Sequence, residues 1–151
     1  MSEALSLPAN PLLALRAAIL TALAPDAELG RLMGGNVRIH DEPPRGAAPV
    51  YALFGPAEMR DDSVDGALRH THRLGLILFA RPGSSRGAIE AAGRAATLLH
   101  EAILAPAGHA LSILRVESLA CARDERSGET RATITLQAVT ERLPTSNGAT
   151  P

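Results

Sequence analysis

Arg69-His-Thr-His-Arg-Leu-Gly-Leu-Ile-Leu-Phe79, continued by Ala80-Arg-Pro-Gly-Ser-Ser85 and an Ala-rich run from Arg86 to Leu104, decides how this chain folds. Leu74, Leu76 and Leu78 fall on one face of an extended segment and Gly75, Ile77 and Phe79 on the other, so both faces are apolar. Such a segment predicts a strand in the interior of a sheet. Pro82-Gly83 reads as a strand-to-helix turn, Ser84/Ser85 as a helix start and Pro106 as a stop. Between them Ile89, Ala92, Ala96, Leu99 and Ile103 recur three and four residues apart, which predicts a crossover helix over 86–104 with that stripe on the sheet.

Upstream, Asn10 can cap a helix that opens with Pro11 and buries Leu12, Leu15, Ile19 and Leu23. Pro25-Asp26 ends it, and Asp26 caps a short second turn through Leu29 and Leu32 that closes at Gly34-Gly35. Val37 and Ile39 alternate with polar residues and predict strand one, and Val50-Tyr-Ala-Leu-Phe54 predicts strand two. Gly55 to Ala67 is polar and without period, and predicts a long connecting loop. Downstream, 111–122 reads as strand four and Arg123-Asp-Glu-Arg-Ser-Gly128 as a charged hairpin loop. In strand five Ala132, Ile134, Leu136 and Ala138 alternate with Arg131, Thr133, Thr135 and Gln137, the pattern of a sheet with one covered face.

The order α-β-β-β-α-β-β predicts an α+β fold. A mixed, mainly antiparallel sheet of four to five strands carries two main helices on one face, in two layers. Residues 10–142 form a single domain in this reading, with a flexible segment before it (1–9) and a disordered tail after it (143–151).

Composition narrows the function classes. Of the 151 residues only 2% are aromatic, so the core must be Leu, Ile, Val and Ala, and assembly with neighbours is one way to add stability. All 15 basic residues are Arg, and the net charge of −1 comes with no basic stripe, which argues against a dedicated nucleic-acid binder. Cys121, between Ala120 and Ala122, is the only cysteine. It excludes an internal disulfide or a cysteine zinc site and reads as a small buried hydrophobe. Met1 to Ala9 lacks the charged and apolar regions of a signal peptide, and no run is long enough to span a membrane, which predicts a soluble chain that is not exported.

The sharpest candidate chemistry is His70-x-His72, whose imidazoles share a face of a strand and could share a metal. A third ligand would have to come from His40, Asp41 or Glu42, giving a small metal-dependent hydrolase. The competing reading places both histidines at the solvated start of a structural strand. His100 and His109 fall on or near the end of the long helix, where surface placement is expected. No nucleophile–base pair and no phosphate loop are recognisable, so neither catalytic residues nor a metal or cofactor are expected. The mixed-charge groups Arg38 with Asp41, Arg60 to Asp65 (Arg60, Asp61, Asp62, Asp65), and Arg123 to Arg126 (Arg123, Asp124, Glu125, Arg126) are candidates for subunit or partner contacts.

Several pieces in order carry a resemblance. They are Asn10-Pro11 with Ala14-Leu15, then Leu29-x-x-Leu32-x-Gly34-Gly35-Asn-Val-Arg-Ile39 with Asp41 and Pro43. Next come Pro49-Val-Tyr51, Gly55 with Asp61-Asp62, the His72 strand, Gly87-x-x-Glu90, and Arg123-Asp124 with Gly128. Over residues 10–142 the chain resembles the phage tail terminator, or tail-completion, proteins that join tail to head in siphophages and gene transfer agents. That resemblance implies a non-enzymatic hexameric ring at the head-proximal end of a tail tube. The ring would stop tube polymerisation and dock onto a neck or stopper protein. Its implied partners are further copies of itself, the tube protein and the neck protein, with double-stranded DNA passing through the lumen without sequence-specific binding and no membrane involved. A neck adaptor or stopper is the nearest alternative.

Overall fold

The computed structural model describes residues 10–42 and 48–144. The expectations for 1–9, the Pro43-Pro44 break and the tail from 145 lie outside the described residues. In chain order the elements are α1 (Pro11–Leu23), α2 (Ala27–Leu32), β1 (Ile39–His40), β2 (Val50–Asp61), β3 (Arg69–Ala80), α3 (Ser85–Leu99), β4 (His109–Arg123) and β5 (Thr130–Arg142). The strands form one sheet in the order β1-β2-β3-β5-β4, with β1 parallel to β2 and every other pair antiparallel. This is the α+β, helix-on-sheet arrangement expected, with α1, α2 and α3 together on one face.

β3 occupies the middle of the sheet. Its even positions, Leu74, Leu76, Leu78 and Ala80, lie under the helices with no more than 2% exposure. α3 carries the chain across β5, so that β4 runs alongside β5 and parallel to β3, with β5 between them. The helix layer is tied down by polar contacts as well as by packing. The Arg94 guanidinium on α3 grips Asp26, the α2 cap, in two hydrogen bonds of 3.0 and 2.8 Å, and Ser85 Oγ meets Thr130 Oγ1 of β5 at 2.6 Å. The Arg94 hydrogen bonds, with the backbone N–H of Leu29, hold the Asp26 carboxyl below the usual carboxylate range.

Local signals read correctly at both caps of the first two helices. Asn10 Oδ1 accepts from the Leu12 and Leu13 N–H groups, Asp26 accepts from Leu29 N–H at 2.8 Å, and Gly34 and Gly35 take the positive φ that ends α2.

Three expectations fail. The loop predicted from Gly55 to Ala67 is mostly strand: after an irregularity between Phe54 and Ala57, β2 continues against β3 as far as Asp61. The connection is the tight turn Val64–Ala67, with Asp65 at φ 49° and Gly66 at φ 81°, the type I′ geometry that hairpins favour. The Asp-Gly pair was the signal, obscured by the polar strand around it. Second, α3 stops at Leu99, not at Leu104, because Glu101 turns to φ 60° and its N–H is captured by the Leu114 carbonyl at 2.9 Å. Ile103 leaves the stripe altogether and is 99% exposed. The buried stripe is Ala88, Ala91, Ala92, Ala95 and Leu99, so an alanine surface lets α3 sit close to the sheet. Third, strand one shrinks to Ile39–His40.

Candidate assembly surface

With the three helices of the described residues on one face, no described element covers the other face of the sheet, and its residues sort into two fields. At the β4–β5 loop end Tyr51 and Phe79 stack at 5.2 Å between ring centroids, beside Leu53 and Ile77, and the Arg131 guanidinium lies 5.6 Å from the Phe79 ring. Toward the β2–β3 turn the same face carries Glu58, Arg60, Arg73, Arg115 and Glu117, with Arg73 bridging to Glu117 at 3.0 Å across β5. A shallow furrow of about 370 Å³ separates the fields, because Gly55 and Gly75 face each other there without side chains. A Cβ on Gly55 would stand 2.8 Å from Ile77 Cδ1, so this glycine makes room for the apolar field.

The candidate contact residues fall at separate places. Arg60, Asp61, Asp62 and Asp65 lie at or next to the β2–β3 turn, whereas Arg123 to Arg126 lie at the opposite end of the sheet. β3 alone separates those ends by roughly 35 Å, so the two groups cannot pair within one chain. Asp41 is held by Arg16, whose guanidinium also covers Phe54 at 4.5 Å. Arg38 lies just before β1 at the far edge of the sheet, its carbonyl accepting from Ala52 N–H. Arg60 pairs with Glu58 at 3.2 Å and Asp62 with Arg69 at 3.2 Å. Asp61 accepts from the Ser63 hydroxyl and N–H, which lower its pKa. Asp124 organises its own loop through the Arg126 and Ser127 N–H groups and reaches Arg131 at 3.8 Å. Asp65, Arg123, Glu125 and Arg126 have no ion pair among the described residues.

The histidine expectations need correction. His72 is not at a solvated strand start but 2% exposed, because the helix side of β3 remains covered as far as that residue. Its Nε2 meets Thr140 Oγ1 at 2.8 Å, its Nδ1 has no partner, and burial, with His70 and His109 nearby, pushes its pKa down to about 4. His109 is not on a helix surface either: it opens β4, 4% exposed, with Nδ1 hydrogen-bonded to the Ala107 carbonyl at 2.8 Å. His100 does cap α3, where its Nδ1 accepts the Val116 N–H at 3.1 Å. The His70 and His72 rings are 6.5 Å apart, but His40 pairs with Leu53, which lies opposite Ile77, seven residues along β3 from His70. That is a separation of roughly 23 Å. Among the described residues no three His, Cys, Asp or Glu side chains come together to hold a metal ion. Cys121 is exposed, not buried, because α3 covers β3 and β5 but not the second half of β4.

Two features were not located by the sequence, although exposed sheet edges in general were expected from it. An apolar groove of about 510 Å³ runs between Ala14, Ala18 and Ala22 of α1 and the segment from Ile103 to Ala107. The second is the outer edge of β4, exposed at every residue from Glu117 to Arg123. Both arise where α3 ends early or stops short of the sheet edge, which a periodic stripe does not reveal.

Comparison with known proteins bears on the fold and the family. No curated protein matches the chain. A chain in the solved structure described as "Virion of native gene transfer agent (GTA) particle" shares the fold at a TM-score of 0.79, with 24% identity over 88% of this chain and 98% of that one. A second solved chain, at a TM-score of 0.48 and 16% identity over 89% of this chain and 98% of its own, is too remote to bear on function. The family described as Tail completion protein gp17 matches residues 17–141, from the middle of α1 almost to the end of β5. The chain therefore belongs to the tail completion protein gp17 family and is a structural component of a phage-type tail.

Proposed function

We propose that this chain is the tail terminator of a phage-like particle, in which copies of it close into a hexameric ring on the head-proximal end of the tail tube. The family match along nearly the whole domain is the observation that carries this reading. The ring ends tube polymerisation and offers its other side to the neck or stopper protein. Arg123 and Arg126 of one copy, which lack ion pairs among the described residues, meet the acidic β2–β3 turn with Asp61, Asp62 and Asp65 of the next. The two groups sit at opposite ends of one sheet, so they can satisfy each other only between copies, head to tail, as a closing ring requires. DNA passes through the lumen unread, in keeping with a net charge of −1. The chain works without catalysis, as residues 10–142 acting as one domain.

Tube assembly in the presence of the chain, imaged by negative stain, tests the reading. Capped tubes of limited length are expected, with rings at their ends. Tubes that grow without limit, with the chain bound only to neck protein, would make it an adaptor instead. The double reversal Arg123→Glu/Arg126→Glu should abolish rings while shifting unfolding by no more than about 0.5 kcal/mol, since both side chains are exposed.

A further inference from the structure

β4 is an outer strand of the sheet along its whole length, yet only half of that edge is open. Over the first half, the segment after α3 closes it: Glu101 N–H donates to the Leu114 carbonyl at 2.9 Å, and His100 Nδ1 accepts the Val116 N–H at 3.1 Å. An irregularity between Val116 and Ser118 then changes which residues point their backbone groups outward. At the far end Asp124 N–H reaches the Glu129 carbonyl at 2.8 Å. In an antiparallel ladder that fixes the alternation: Ser118, Ala120 and Ala122 turn their N–H and C=O toward β5, and Leu119, Cys121 and Arg123 turn theirs to solvent.

This open stretch lacks the usual protection. The other free edge, the second half of β2, carries Pro56, Glu58, Arg60 and Asp61, the proline and charges that blunt an edge against pairing. From Ser118 to Ala122 β4 has neither charge nor proline. Its flanking charges are antisymmetric about Ala120: Arg115 and Glu117 before it, Arg123 and Glu125 after it.

We propose that the free subunit pairs with a second copy of itself through this edge, the two β4 strands antiparallel and centred on Ala120. In that register outward residues meet outward residues, Leu119 of each copy opposite Cys121 of the other in a hydrogen-bonded pair. Glu117 comes level with Arg123 of the other copy. Any shift by one residue sets outward groups against inward ones and loses the ladder. The contact is isologous and closes on itself, so it makes pairs and builds no ring. The pairing stands without the terminator reading. Only its consequence rests on that reading: a pair engages Arg123, at the base of one of the two loops that ring closure uses, and so withholds it until a tail end is available.

Sedimentation velocity of the full chain across a concentration series tests the proposal. Wild type should pass from monomer to dimer. Cys121→Pro removes an N–H that points to solvent and no hydrogen bond of the fold, and should weaken the dimer by at least about tenfold with the monomer's melting curve retained. Leu119→Lys, a charge on the same edge, should do the same if the proline variant folds poorly. In a Cys121→Ala background, Ala120→Cys places two thiols at the non-hydrogen-bonded centre of the register, where Cα atoms stand about 4.5 Å apart, and should form a disulfide-linked dimer under mild oxidation. Ala122→Cys in that background should not. A wild type that stays monomeric, dimers unaffected by both edge variants, or equal cross-linking at 120 and 122 would each overturn the pairing. Tube-capping activity, measured separately, decides the terminator reading whichever way the sedimentation falls.

Discussion

The two faces of β3 have nearly the same hydrophobicity and opposite fates. Leu74, Leu76 and Leu78 are buried beneath the helices, while Ile77 and Phe79, one residue out of step, are only half-buried, on a face that none of the described residues covers. What separates them is not their own chemistry but the supply of helices: the three among the described residues all go to one side. A doubly apolar strand thus marks an interior position in the sheet, not helices on both faces, since only one of its faces is covered by the described residues. The stacked Tyr51 and Phe79 and the glycine furrow beside them lie on the side that no described element covers.

The largest expected effects test that asymmetry directly. Leu76→Ala removes a side chain of 1% exposure from the core, and should cost about 2–5 kcal/mol in urea unfolding. Ile77→Ala, its immediate neighbour, should cost the isolated chain about 1 kcal/mol or less, because its side chain already meets solvent. Equal losses at the two positions would mean the open face is closed in the free chain, and the contrast drawn here would break.

A second effect concerns the covered face where it becomes polar. His72 has a folded-state pKa of about 4 against an ordinary value of 6.5, because burial disfavours its charged form. A base with a lowered pKa stabilises the fold fully above its unfolded value, and that contribution is lost as pH falls from 6.5 toward 4. The shift corresponds to at most about 3 kcal/mol. Unfolding followed between pH 7 and pH 4 should show wild type losing stability steadily. His72→Leu should give a flatter profile, whatever the variant loses overall by leaving Thr140 Oγ1 unpartnered. A variant with the wild-type slope would show that His72 is not the source of the acid sensitivity.

The sequence was most legible where structure is made locally. Asn10-Pro11, Asp26 and the alternation of β5 each state their conformation within a few residues, and each holds. It was least legible where a distant partner decides. Ala57 and Met59 alternate with Glu58 and Arg60 over too short a run to announce a strand, and only β3 alongside makes them one. Leu114, far along the chain, ends α3 by taking the Glu101 N–H. His72 is buried because the helix layer extends over it, which no run of residues near it announces. The candidate contact residues were legible as charged loops, and their separation to opposite ends of the sheet became visible only once β3 had been paired on both sides.

Ile103 gives the smallest expected effect on stability and the sharpest test of what the early end of α3 accomplishes. On the helical stripe predicted from spacing it would be a core residue, and Ile103→Ser would destabilise the chain by several kcal/mol, about as much as Leu76→Ala. At 99% exposure it should instead change unfolding by no more than about 0.5 kcal/mol. The same substitution removes the most exposed apolar side chain from the rim of the groove against α1. A variant that unfolds like wild type but no longer stays with tails through purification would assign that groove to a neighbour, because an isoleucine left in water costs the free chain little and gains its value only when something covers it.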